Sequence, residues 1–152
     1  MKINVETIPH NQQRYDTVGD YWIDKDLTLQ IRISRMRIVW FEWFVLIHEI
    51  VEIAICLFYK ISFNKIDKFD IQFEIDRKDG IHGENDEPGD DPDAPYKNAH
   101  CFATSVERMV CAVFGLSWKE YDEEVLGLDY NPELKNRTTL ILKSFDACPN
   151  LF

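Results

Sequence analysis

Inside the apolar run IVWFEWFVLIHEIVEIAICLF, from Ile38 to Phe58, the chain carries a small set of residues able to do chemistry. His48 and Glu52 are spaced i, i+4, which on a helix sets both side chains on one face a turn apart, a spacing that suits two ligands of one ion. Glu49 follows the histidine directly. In HExxH metalloproteases a glutamate at that place acts as general base on water. Here the fifth residue is Glu52, so the box reads HExxE. A carboxylate can replace imidazole at zinc, and it makes the site more hospitable to harder ions such as Mn²⁺.

A catalytic zinc takes three protein ligands and keeps a fourth position open. His100 is the best third candidate, because neutral imidazole is the commonest metal ligand, and Glu107 lies seven residues on, two turns further along the same face. Asp70 and Glu74 come next; His10 and His82 fall in irregular segments. Glu107 and Glu42 are expected to orient these ligands, Glu107 acting on His100, or to add a further one. A two-ion carboxylate site drawing on Glu42, Glu49, Glu52, His48, His100 and Glu107 stays open, since such sites take Glu and His from facing helices. So does a bland alternative in which the glutamates pair with Arg35, Arg77 or Arg108. Cys56 reads as a small core residue.

These residues need elements to hold them. At roughly 100° per residue, Glu42, Val45, His48, Glu49, Glu52 and Cys56 fall within an arc of roughly 120°. The rest of the circumference is largely apolar, so a helix from about Arg35 to Phe58, capped by Ser34, is expected to lie in the core with its polar wedge facing a cleft. Its length could span a bilayer, but four ionisable groups would need costly burial in hydrocarbon. Upstream, GDYWID, a turn at Lys25-Asp26 and the alternating LTLQIRIS read as a hairpin, and residues 1–18 as an arm with little periodicity. NKIDKFDIQFEIDRK, Asn64 to Lys78, fits both periods and is read as helix. Residues 79–96, rich in Gly, Pro and Asp, form a loop that would cover the cleft; Asp90, Asp91 and Asp93 could gather a cation such as calcium, or form turns. A second core helix is expected over Lys97–Phe114, closed by Gly115, then a short helix from Ser117 and an irregular tail over 129–152. The expected fold is α+β in one domain, 1–152: an N-terminal β-hairpin on a mainly helical core, with a long central HExxE helix.

Composition narrows the partners. A net charge of −10 and a pI of about 4.8 repel a phosphate backbone and an anionic lipid surface, so neither nucleic acid nor membrane is expected. Arg32, Arg35 and Arg37 are too few to line a groove. Four cysteines, without a CxxC pair and with no apolar leader in MKINVETIPHNQQRYD, fit reduced thiols in a cytoplasmic protein.

The order IPHNQQRYDTVGDYW, LQIRIS, LIHEIVE, FDIQFE, EPGDDPDAPY, HCFATSVERMVC and SWKEYDEEV, from about Ile8 to Leu128, resembles a group of small bacteriophage and prophage proteins. In that group the helix box looks like HELIE and the later segment like APYxxxHxxA, which here map to His48, Glu49, Glu52 and to Ala94, Pro95, Tyr96, His100. A strand followed by an HExx-bearing helix is also similar to the core of zincin-like metallopeptidases. The resemblance implies a zinc-dependent hydrolase acting on an amide or ester in the host cytoplasm, with Glu52 where the second zincin histidine stands. A non-catalytic phage accessory protein that binds a host protein, its wedge a structural metal site or a buried polar network, is the competing expectation.

Overall fold

The structure is a computed structural model and describes residues 1–83 and 85–128; the tail expected over 129–152 lies outside the described residues. Three strands, β1 (Lys2–Ile8), β2 (Gly19–Ile23) and β3 (Thr28–Ser34), form a sheet in the order β1-β3-β2. The expected hairpin is β2–β3, antiparallel with Tyr21 opposite Ile31. Its turn is tied by Asp24, whose side chain accepts the Asp26 and Thr28 N–H groups and a bond from Gln30, while Leu27 takes a left-handed conformation (φ 56°). Leu29, Ile31 and Ile33 all face the core.

Part of the N-terminal arm is a correction. Lys2–Ile8 pairs in parallel with β3, Val5 opposite Ile31. Ile3 and Val5 stay about half exposed, so β1 is held by its backbone ladder more than by side-chain burial and leaves a weak apolar signature.

Among the described residues four α-helices follow: α1 (Val39–Tyr59), α2 (Phe63–Lys78), α3 (Lys97–Val113) and α4 (Trp118–Leu126). The ambiguous segment is therefore helical, with Ile66, Asp70, Phe73 and Glu74 as its buried stripe. α1 starts later than expected. Ser34 ends β3, its hydroxyl engaged with His10 and Gln13, and does not cap a helix. Instead Glu42, in the first turn of α1, accepts the Met36 N–H at 3.1 Å and ties down the link between strand and helix. α3 ends as expected, with Gly115 in a left-handed conformation (φ 67°), and Ser117 caps α4 by accepting the Glu120 N–H.

α1 packs against both the sheet and α3, burying Phe41 and Phe44 completely. The expectation of a helix embedded all round is only half met. The polar wedge is on the buried side, whereas Trp43, Ile50, Leu57 and Phe58 of the apolar remainder lie open.

Candidate metal centre

The wedge of α1 forms one wall of a cavity of about 460 Å³, also lined by β2, α2, α3, α4 and the loop over 85–90. Three ligand atoms converge there. His48 Nε2 lies 3.2 Å from His100 Nδ1 and 3.4 Å from Glu52 Oε2, and His100 Nδ1 lies 3.3 Å from Glu52 Oε2. Tetrahedral bonds of about 2.0–2.1 Å place neighbouring ligand atoms about 3.3 Å apart, so the triangle has the dimensions of three corners of a zinc-sized coordination shell. These three residues can hold a metal ion.

The outer ends of all three side chains are already engaged. His48 Nδ1 meets Glu107 Oε2 at 3.2 Å, and Glu107 Oε1 accepts the Tyr121 hydroxyl. His100 Nε2 meets Glu87 Oε2 at 3.3 Å. A carboxylate accepts, so each of these outer nitrogens carries the proton. On a neutral ring the inner nitrogen then offers a lone pair, whereas on a protonated ring it donates to Glu52. Glu52 Oε1 accepts the Tyr21 hydroxyl at 2.8 Å, which leaves Oε2 for the cluster. With both rings neutral, three electron-rich atoms face one point, and only a cation there, protons or a metal ion, makes the arrangement favourable. Burial alone would lower both histidines. The Glu107 and Glu52 carboxylates override it and hold His48 well above its ordinary value, and Glu52 and Glu87 raise His100 to about 9. Burial would likewise raise Glu52, yet hydrogen bonds from His100 and His48 hold it at about 2.

Glu49 lines the same cavity but is not in the triangle. Burial, then the Glu52 charge, pushes it up to about 8. Its carboxylate fits against bare backbone: a Cβ on Gly19 would stand 2.0 Å from Oε1. Gly89 has the same part on the other side, where a Cβ would stand 2.3 Å from Cγ of His100. Asp70 accepts the Tyr96 and Tyr15 hydroxyls at 2.7 and 3.2 Å, and burial raises it to about 7.

Two expected roles change. Glu42 is tied to the Met36 backbone and, among the described residues, joins no ligand group. Glu107 orients His48, not His100, because α3 runs antiparallel to α1 and brings residue 107 opposite 48. The runner-up ligands are engaged elsewhere: Glu74 with Arg77, His10 with Ser34 and Asp16, and His82 stacked on Phe73. Among the described residues no ligand group draws in Glu42, Glu49 or Glu107, as the two-ion arrangement would need. Asp90 lies 3.8 Å from His100 Nε2 and with Glu87 forms a second possible group that shares this histidine, while Asp91 accepts the Asp93 N–H in a turn. The basic trio is spread out: Arg32 pairs with Glu6 and lies over Trp22, and Arg37 pairs with Glu124.

Sequence reasoning missed Glu87, Tyr21 and Tyr121, which hold the outer ends of the ligands, and both glycines. Glu87 sits in an irregular segment where spacing carries no information. The tyrosines come from elements far away in the chain. Gly19 was visible only as the start of the first hairpin strand, and Gly89 only as part of a Gly/Pro-rich loop.

Among the described residues no helix is long and apolar enough to cross a membrane. Comparison with known proteins gives no match: no protein-family model fits the chain, and no curated protein or solved structure matches it.

Proposed function

We propose that this chain is a zincin-like metalloprotein in which His48, Glu52 and His100 hold one zinc ion and Glu49 serves as the base in hydrolysis of an amide or ester. The observation that carries the reading is the triangle of His48 Nε2, His100 Nδ1 and Glu52 Oε2, with Glu107 and Glu87 behind the two rings. Two imidazoles and one carboxylate form a donor set used by catalytic zinc, which favours zinc over the harder ions. Such an ion, when bound, polarises a substrate carbonyl and makes water more acidic. Glu49, packed against Gly19 in the cavity lining, would take a proton and pass it on.

Purified without added metal, the protein should contain close to one zinc per chain, and His48→Ala should lose it. Retention of full metal by that variant overturns the assignment. A second reading keeps the ion and drops catalysis, as in a phage accessory protein that binds a host protein. Low exposure of the ligand side chains, 11% for His48, 5% for Glu52 and 12% for His100, is what favours it. Glu49→Gln separates the two. It should abolish turnover of amide or ester substrates with metal content unchanged in the first case, and alter nothing in the second.

A further inference from the structure

α1 inverts the usual arrangement of an amphipathic helix. Its glutamates and its histidine, Glu42, His48, Glu49 and Glu52, are all buried, while its exposed positions are Trp43, Ile50, Ala54, Leu57, Phe58 and Tyr59. Among these, Trp43, Ile50, Ala54 and Leu57, with half-buried Ile47, follow the i, i+4, i+7, i+11, i+14 spacing of a helix seam. α3 carries a matching outer stripe, Phe102, Val106, Met109 and Val113. The two helices are antiparallel neighbours, with Phe44 against Phe114 and His48 against Glu107. Their cavity sides carry His48, His100 and Glu107, so helical phase sets both stripes on the opposite side of the pair.

The size of this face decides what it needs. Trp43 is 52% exposed, Phe58 77%, Phe102 58%, Met109 61% and Val113 83%, with Ile50 and Leu57 at 48% each. Taking about 150–250 Å² for a large side chain, these residues open roughly 800 Å² of apolar surface. The largest apolar patch on an ordinary monomer is about 300–600 Å², and a standard interface buries about 800 Å² per partner. A neutral face is also self-complementary. A chain of net charge −10 can meet its own copy there without bringing like charges into the contact.

We infer that the α1–α3 face is a homodimer interface, closed by a second copy about a two-fold axis so that the two helix pairs stack as a four-helix layer behind the metal centres. The inference is independent of the catalytic reading. Sedimentation velocity of the full chain, from nanomolar to tens of micromolar, should give twice the 18.0 kDa chain mass. Ile50→Glu and, separately, Met109→Glu should each weaken association at least about a hundredfold, because two-fold symmetry puts the new charge into the contact twice. Both positions are exposed, so circular dichroism and metal content should stay as in the parent chain. A parent chain that is monomeric throughout overturns the inference. So does association that neither variant weakens, or partition of the parent chain onto phosphatidylcholine vesicles in place of self-association.

Discussion

The outer partner of His48 offers the sharpest test of how the centre is built. Glu107→Ala removes the acceptor of His48 Nδ1 and frees the ring to rotate or to move its proton to Nε2, the nitrogen that faces His100 and Glu52. Loss of such an outer carboxylate costs about 10–100-fold in metal affinity, or about 1.4–2.7 kcal/mol. The metal-free protein should lose about 1–3 kcal/mol as well, since a buried N–H is left without its acceptor and the Tyr121 hydroxyl loses its partner. Glu107→Gln keeps an oxygen that can accept from Nδ1 and should recover most of the affinity. Competition with a chromophoric chelator gives the zinc affinity, and urea unfolding in excess chelator gives the metal-free stability. The two readouts separate orientation from folding. If Glu107→Ala binds zinc within twofold of the parent chain while His48→Ala has lost it, the tautomer reasoning is wrong.

Gly89→Ala puts a methyl group where the His100 ring stands, so zinc affinity should fall at least about tenfold with circular dichroism unchanged, measured by the same chelator competition. Arg14→Ala leaves the Asp20 carboxylate, 1% exposed, without the bidentate partner that also holds Asp67, and should cost about 3–4 kcal/mol in urea unfolding. The pH dependence has a definite sign. Asp70 rises from an ordinary 3.8 to about 7 and Glu49 from 4.5 to about 8 on folding, so the stabilisation they give is full below about pH 4 and is lost as pH rises through 7 and 8. The melting temperature of the metal-free protein should fall over that window, whereas stabilisation by added zinc should grow as the histidines give up protons; a flat metal-free profile would refute the burial of these carboxylates.

How much of this was legible in the chain depends on which residues are asked about. The wedge of α1 was readable because 3.6-residue periodicity fixes angle, and His48, Glu49 and Glu52 share an angle. Angle is not height, which is why Glu42 looked equivalent though it sits at the first turn and serves the preceding loop. Likewise the seven-residue spacing of His100 and Glu107 placed both on one face of α3 but could not say which residue of α1 each would meet. That followed from the antiparallel docking of the two helices. β1 escaped notice because its stabilisation lies in backbone pairing. The apolar circumference of α1 was read as core, and the sequence has no means of telling a face covered by its own chain from one left open.

If the triangle holds a metal ion as proposed, the centre exchanges protons for metal. Without metal, His48 and His100 take up protons to satisfy Glu52 and each other, yet with 3.2 Å between their inner nitrogens two N–H groups cannot both sit there without repulsion. Under that proposal a single dication would relieve the conflict, and the protons would leave to solvent. The heat measured on titrating zinc into the protein therefore contains the ionisation heat of whichever buffer receives them, and should change from phosphate to Tris by an amount that counts the protons released.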